Sequence, residues 1–133
     1  MKRIITSGKR KRAVARAVVM SGNGKVTING KPYETLQFFD RLKIEEPIRI
    51  AKHILGEIKF NIIVNARGGG EKGQIDASRV AISRAFIATT KNKELERAFL
   101  DYDRNLLVAD VRRKEAYKPG DSKARRKRQT SYR

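Results

Sequence analysis

The chain has 133 residues, 39% of them hydrophobic and 35% charged, and its formal net charge is +18. This length suits one domain with a modest core, and so large a positive charge predicts a polyanionic partner, because cations that contact phosphates release condensed counterions. Cysteine is absent, which excludes disulfides and thiolate metal sites. No apolar run approaches the roughly 18 residues of a membrane span, so we expect a soluble cytoplasmic protein.

The first third of the chain predicts strands and turns. Residues 4–6 are β-branched, residues 7–10 have the composition of a loop, and residues 13–20 are rich in valine and predict a strand. Residues 21–24, Ser-Gly-Asn-Gly, predict a tight hairpin turn, because Asn and Gly tolerate positive φ. Residues 25–28 alternate in polarity, as a strand with one buried face does.

A helical region is expected next. Residues 33–42 should form short helical turns whose apolar side chains point inward, namely Leu36, Phe38 and Phe39. Pro47 predicts the start of a helix over residues 48–55, because a first-turn residue has no helical partner for the missing N–H. Glu45 and Glu46 would then place favourable negative charge at the helix N-terminus.

The second half of the chain contains the clearest helix. Residues 58–64 predict a central strand, residues 68–73 a glycine-rich loop, and residues 74–90 a helix. One line of this helix should face the sheet, formed by Ile75, Ile82 and Phe86. A further helix is expected over residues 93–102. Together these elements predict an α+β fold, a mixed sheet of about four strands packed by helices.

Positive charge is concentrated at the two ends of the chain. Residues 1–33 contain nine Lys or Arg and no acidic residue, and residues 112–133 contain ten basic and two acidic residues. The residues between them carry a net charge of only +1. We therefore predict a globular domain over residues 1–111, followed by an extended basic tail over residues 112–133 that is disordered without RNA.

The glycine-rich loop contains G-x-G-x-x-G after a strand and before a helix, as in dinucleotide-binding sites. Such a site also needs an acid about 20 residues further on, at the end of a second strand. Residues 91–96 occupy that distance and are expected to be helical. We therefore expect no nucleotide or other cofactor here. The loop N–H groups can instead bind an RNA phosphate, with Arg67 and Lys72 beside it.

Nothing in the composition predicts catalysis or a metal site. His53 is the only histidine, and no base is placed to activate a serine. An isolated histidine near an apolar helix face is more often structural, or at most an RNA contact. We expect neither an enzyme nor a small-molecule substrate. Without an apolar anchor beside the basic tail, we expect no membrane partner either.

Basic side chains are the predicted RNA contacts. The N-terminal set, together with two arginines of the long helix, should form a basic face: Lys9, Arg10, Lys11, Arg12, Arg16, Arg79 and Arg84. For Arg79 and Arg84, solvation or pairing with Asp76 is the alternative. In the tail the predicted contacts are Arg112, Arg113, Lys118, Lys123, Arg125, Arg126, Lys127 and Arg128. Arginine suits this role, because its planar fork grips phosphates and stacks on bases.

Three segments in order resemble one family, the universal small-subunit ribosomal protein nine. They are residues 7–16 with 22–32, residues 68–86 (GGGEKGQIDASRVAISRAF) and residues 110–133. Residues 102–110 and the Ser-Tyr-Arg ending resemble archaeal or eukaryotic members, and the short chain favours an archaeal one.

The resemblance implies a fold like the second domain of small-subunit ribosomal protein five. It also implies binding to rRNA in the head of the small subunit, beside neighbouring ribosomal proteins. The tail would reach the anticodon stem-loop of the peptidyl-site tRNA, with contacts from Arg128, Tyr132 and Arg133. Bacterial members carry Lys where this chain has Tyr132, which here allows stacking on a base or ribose.

One other binding role shares the charge pattern. A free-standing nucleic-acid chaperone, or an architectural nucleic-acid-binding protein, would also be strongly basic. It would not contain the three ordered motifs. Sedimentation in a sucrose gradient separates the two, because a ribosomal protein travels with the small subunit and a chaperone stays near the top.

Overall fold

A computed structural model of the chain describes residues 3–107. It contains one mixed sheet in the order β1-β2-β5-β3-β4, with β1 (Ile4–Arg10), β2 (Ala13–Ser21), β3 (Val26–Ile28), β4 (Lys31–Pro32) and β5 (Phe60–Arg67). The helices are α1 (Phe38–Leu55), α2 (Glu71–Thr90) and α3 (Lys93–Tyr102). The predicted α+β class with a mixed sheet is confirmed, with five strands, the fourth of only two residues.

The first strand is longer than its composition predicts. Residues 7–10, expected as a loop, continue β1 and pair with β2 in antiparallel register, Gly8 opposite Ala15. Gly8 is needed because α2 crosses the strand closely at this point. A Cβ at position 8 would lie 2.3 Å from the Ala77 carbonyl oxygen and 2.7 Å from the Ala81 amide nitrogen. The glycine therefore marks a strand–helix contact, and the loop prediction is wrong.

The predicted hairpin at residues 21–24 is also wrong. β2 and β3 are not neighbours, because β5 lies between them, antiparallel to β2 and parallel to β3. The Ser-Gly-Asn-Gly segment passes over the end of β5 instead. There the Asn61 Oδ1 accepts hydrogen bonds from the backbone N–H groups of Asn23, Gly24 and Lys25. A side chain 37 residues away thus accepts hydrogen bonds from the N–H groups of this connection.

The helix predicted to begin at Pro47 begins at Phe38, so Pro47 lies inside α1 and is buried. A proline in a helix interior removes one backbone hydrogen bond and costs about 3 kcal/mol. The helix continues because a buried stripe at helical spacing runs past the proline, formed by Asp40, Ile44, Pro47, Ile48 and Ala51. Glu45 is therefore not at a helix start, but pairs with Arg41 and Arg49 one turn away on either side.

Phe38 and Phe39 do not enter the core, contrary to the prediction. They are 61% and 72% exposed, and their rings pack edge to face with centroids 5.4 Å apart. The reason is their phase in α1. Successive residues of a helix are rotated by about 100°. Phe39 is therefore about 100°, and Phe38 about 200°, away from Asp40 and the buried stripe.

The long helix and the helix after it are confirmed. α2 packs across β1, β2 and β5, and α1 and α3 pack against α2 and against each other. The predicted apolar line of α2, Ile75, Ile82 and Phe86, is buried in the core, and so are Leu95 and Phe99 of α3. A 3-10 turn, Arg104–Leu106, ends the described part with Leu106 buried. The predicted tail over residues 112–133 lies outside the described residues.

Candidate nucleic-acid interface

One face of the sheet is open in the described part of the chain. Alternate residues of β1 and β2 point toward α2, where Thr6 donates a hydrogen bond from Oγ1 to the Ala81 carbonyl. The residues between them point away, and side chains such as Ile5 (59% exposed) are accessible there. No helix between residues 3 and 107 covers this open face.

The basic end of the open face gathers three predicted contacts. Lys9 lies opposite Val14, which lies opposite Arg67, so these three side chains form one row across β1, β2 and β5. Arg16 belongs to the next row on the same face. From the spacing between strands, the Cα atoms of Lys9 and Arg67 are about 10 Å apart. Arg16 lies on β2, the strand between them, two residues after Val14. The three cations are therefore close enough to contact successive phosphates.

The sign of the charge on this face is uniform. None of the five strands contains an Asp or a Glu. Lys9, Arg16 and Arg67 make no ion pair with any residue between 3 and 107. Their charges are thus available to a polyanion, which satisfies the electrostatic requirement for RNA binding.

The tip of the β1–β2 hairpin extends the basic end. Lys11 turns the chain with φ +56, and both Lys11 and Arg12 are exposed. The glycine-rich loop packs directly against this tip, since a Cβ on Gly68 (φ +78) would lie 2.6 Å from the Arg12 carbonyl oxygen. This contact explains Gly68 without a nucleotide. No strand follows α2 within the described range, so the second strand of a dinucleotide site is missing there.

Other predicted contacts lie on the helical side, where acidic residues partner them. Lys72 donates to the Asp40 Oδ1 at 2.8 Å, and Asp40 is 1% exposed. Arg10 lies 3.7 Å and Lys43 3.3 Å from the oxygens of Asp76. Lys72 and Arg10 therefore hold α1, α2 and β1 together, although they are close in sequence to residues of the open face.

Lys72 provides a test of this structural role through pH. The hydrogen bond to Asp40 raises the pKa of the Lys72 ammonium above its ordinary value of 10.5. A raised pKa means that the pair contributes stability below pH 10.5 and loses it as the pH rises through the folded-state pKa. Lys72→Met should therefore lower the urea midpoint of unfolding at pH 7 to 9, and the difference from wild type should shrink above pH 10.5.

The matched control for this pH series is Lys93→Met, which removes an exposed cation from α3. It should leave the midpoint nearly unchanged at every pH, since isolated surface charges contribute little. A Lys72→Met midpoint equal to that of the control at pH 7 would contradict the structural role.

Arg79 is a clamp between helices. Its guanidinium pairs with Glu46 of α1 and lies 3.3 Å from Asp103, which follows α3. A hydrogen bond to the same Glu46 raises the pKa of the Tyr102 hydroxyl. The partners of Arg79 are therefore Glu46 and Asp103, and not Asp76. Glu46 is likewise a packing partner between helices and not a charge at a helix start.

Arg84 also makes contacts inside the domain. Its Nε donates to the Leu107 carbonyl and its Nη1 to the Ser7 carbonyl, both at 2.9 Å. Neither solvation nor an ion pair describes this arrangement. The guanidinium links the edge strand β1 to the last described residue of the chain.

The open face also has an apolar end that sequence reasoning missed. Ile5, Val18 and Ile63 form one row across β1, β2 and β5, next to the row of Arg16. The signal was the alternation in residues 4–10, which is visible only once those residues are read as a strand. Neighbouring rows are thus apolar and basic, so a partner on this face meets both kinds of side chain.

The predicted contacts of the tail lie outside the described range: Arg112, Arg113, Lys118, Lys123, Arg125, Arg126, Lys127, Arg128, Tyr132 and Arg133. Within residues 3–107, His53 is exposed and no cluster of His, Cys, Asp or Glu is placed to hold a metal ion. None of the helices in that range is long and apolar enough to cross a bilayer.

Comparison with known proteins gives matches along the whole chain. The family model described as ribosomal protein S9/S16 matches residues 8–133. Small ribosomal subunit protein uS9 of Methanococcus vannielii is 45% identical over 136 residues, which cover 100% of both chains. Proteins of that name from Thermoplasma volcanium and Thermoplasma acidophilum are 49% and 50% identical over 131 residues, covering 98% of this chain and 98% and 100% of theirs. These relatives are archaeal, which agrees with the archaeal or eukaryotic resemblance of residues 102–110 and with the archaeal assignment favoured by the short chain.

Proposed function

Because the chain belongs to the ribosomal protein S9/S16 family of the small ribosomal subunit, we propose that its domain binds rRNA through the open face of the sheet. The observation that supports this most directly is the row of Lys9 and Arg67 with Arg16 beside it, on strands that contain no acidic residue. Lys11 and Arg12 at the hairpin tip extend the same surface. The partner is then folded rRNA of the head of the subunit.

The division of charge supports this choice of surface over the helical side. Lys72, Arg10 and Arg79 are paired with carboxylates, so moving them to a phosphate would leave a partly or wholly buried acid without its cation. The open face has no such penalty. RNA binding there leaves the internal ion pairs of the domain intact.

The second half of the proposal concerns residues 112–133. Ten basic residues against two acidic ones suit an arm that lies along phosphates. We propose that this arm reaches the anticodon stem-loop of the peptidyl-site tRNA, with Arg133 on a phosphate, and Arg128 and Tyr132 nearby. The family resemblance of residues 110–133 supports this assignment.

Removal of residues 131–133 tests the arm. Small subunits that carry the shortened chain should assemble normally, because the open face of the domain is unchanged. Their affinity for tRNA at the peptidyl site should fall about 10- to 30-fold, as expected when one charge-assisted hydrogen bond worth about 1.5–2 kcal/mol is removed. Filter binding of labelled tRNA to programmed subunits measures it.

The control for the shortened chain is the full-length variant Arg133→Lys, which keeps the terminal positive charge and should retain most of the wild-type affinity. Equal tRNA affinity for shortened and intact subunits would refute the role of the arm. Failure of the shortened chain to enter the subunit, by sedimentation, would instead show that residues 131–133 serve assembly.

A further inference from the structure

Arg84 contacts the chain at Leu107, the last residue that the structure describes before the basic C-terminal segment. Arg84, on α2, donates from Nε to the Leu107 carbonyl and from Nη1 to the Ser7 carbonyl, at 2.9 Å each. Leu107 is 23 residues away from Arg84 along the chain, and Ser7 is 77 residues away. One planar group thus joins a helix, the edge strand of the sheet and the point at which the described chain ends.

Packing supports the same anchor. Leu106 is fully buried, and Leu107 packs partly buried against the core. The 3-10 turn that contains Leu106 is closed by backbone hydrogen bonds from the Leu106 N–H to the Asp103 carbonyl and from the Leu107 N–H to the Arg104 carbonyl. The chain is therefore held at residue 107 from two sides, by apolar burial and by the guanidinium.

We infer that Arg84 is a positioning residue, which fixes the place on the domain from which the basic C-terminal segment departs. This inference rests on the proposed function of that segment and deepens it. An arm that must reach a defined target benefits from a fixed origin, because an ordered starting point reduces the conformational entropy lost when the arm is bound.

The alternative role for Arg84 is a direct phosphate contact, and its geometry argues against that. Two of its N–H groups already donate to carbonyl oxygens in a forked arrangement. Turning the guanidinium toward a phosphate would break both bonds and release the Leu107 carbonyl from α2. Lysine at position 84 could still contact a phosphate, but it could not take over the positioning role. Lysine keeps the positive charge, but its ammonium has no planar fork to join two separated carbonyls.

The test uses the absence of cysteine from the chain. A single cysteine at position 122 (Ser122→Cys) or at position 131 (Ser131→Cys) carries an iron chelate, and hydroxyl-radical cleavage of rRNA and tRNA reports where each label lies in the assembled subunit. Each label is combined with Arg84→Lys. The matched control is Arg97→Lys, an exposed position on α3.

In Arg84→Lys subunits, we expect the strongest cleavage from position 122 to weaken and to spread over more nucleotides, because the loss of one hydrogen bond lowers the equilibrium constant for the anchored arrangement about fivefold. Arg97→Lys should give the wild-type pattern. Leu106→Ala loosens the same anchor by a different route and should broaden the pattern as Arg84→Lys does. An unfolding midpoint measured for each full-length variant separates this effect from a loss of folding.

An Arg84→Lys pattern from position 122 identical to wild type would overturn the inference. The label at position 131 decides the proposed function separately. With Arg84 intact, no cleavage of peptidyl-site tRNA from position 131 would refute the tRNA role, while the label at position 122 would still report whether Arg84 fixes the segment.

Discussion

Replacing Gly8 by alanine is expected to destabilise the domain by about 3 kcal/mol or more, because the added methyl group meets backbone atoms that cannot rotate away. The Ala77 carbonyl oxygen would lie 2.3 Å from the new Cβ, and the Ala81 amide nitrogen 2.7 Å. Both belong to α2, so relief requires the helix to move off β1. Urea denaturation of the full-length chain, followed by circular dichroism, measures the change.

The sign of the change in unfolding free energy is diagnostic, since alanine is otherwise the better residue within a strand. In the absence of the helix contact, Gly8→Ala would stabilise the chain by roughly 0.5–1 kcal/mol by restricting the unfolded state. Gly70→Ala is the matched control: no atom lies within 4 Å of its Cβ position and its φ is −96. As a helix N-cap it should change stability by about 1 kcal/mol or less. Equal midpoints for both variants would contradict the close strand–helix contact.

Gly8 also illustrates what limits prediction from sequence. The elements with internal periodicity were predictable: α2 from Ile75, Ile82 and Phe86, and β2 from its valines. Gly8 was not, because the reason for a glycine there lies in a distant helix, at Ala77 and Ala81. Glycine is typical of loops, whereas here the residue pairs with Ala15 of β2 and the crossing helix explains why it has no side chain.

The errors around α1 and the β2–β3 connection have a similar cause. Pro47 is tolerated inside the helix because the stripe from Asp40 to Ala51 is buried against α2 and α3, which local sequence does not reveal. The Ser-Gly-Asn-Gly segment has the composition of a hairpin turn, but Asn61 from β5 satisfies its N–H groups. Local propensity was overridden in both places by partners distant in sequence.

For the candidate site, the basic residues were predictable from the sequence, but which of them pair with acids inside the domain and which face outward was not. Lys9, Arg10 and Arg16 are equally basic in sequence, and the pleat alone places Arg10 on the side of the helices. There Asp76 partners it, while Lys9 and Arg16 face outward. Which cation has an acid beside it depends on contacts such as Arg79 with Glu46, 33 residues apart.

This segregation has a consequence for folding as well as for binding. The described acidic residues lie on the helices and their connections, where they neutralise the cations that hold the domain together. The strands contribute cations only, and most of these point away from the core. The domain is thus expected to fold without RNA, with binding energy from phosphates acting on the open face and not on the core.

The triple variant Lys9→Gln, Arg16→Gln and Arg67→Gln should weaken RNA binding more than the removal of three exposed cations from the helices. The slope of log affinity against log salt is negative, and each phosphate contact that is removed reduces its magnitude by about 0.7 to 0.9. Removal of three contacts therefore reduces the magnitude of the slope by about 2 to 3. Between about 50 and about 200 mM salt, wild-type affinity for a small-subunit rRNA transcript should then fall about 20- to 40-fold more than that of the variant. Filter binding across a salt series measures both slopes.

The matched control removes three exposed cations from the helices, by Lys52→Gln, Lys93→Gln and Arg97→Gln, and lowers the net charge equally. If the open face binds RNA, this control keeps the wild-type slope, because counterions are released only where phosphates are contacted. If net charge alone drives binding, both triple variants show the same reduction in slope, and the face has no special role. Circular dichroism of each full-length variant checks that the fold is retained, as expected for side chains that make no ion pair within residues 3–107.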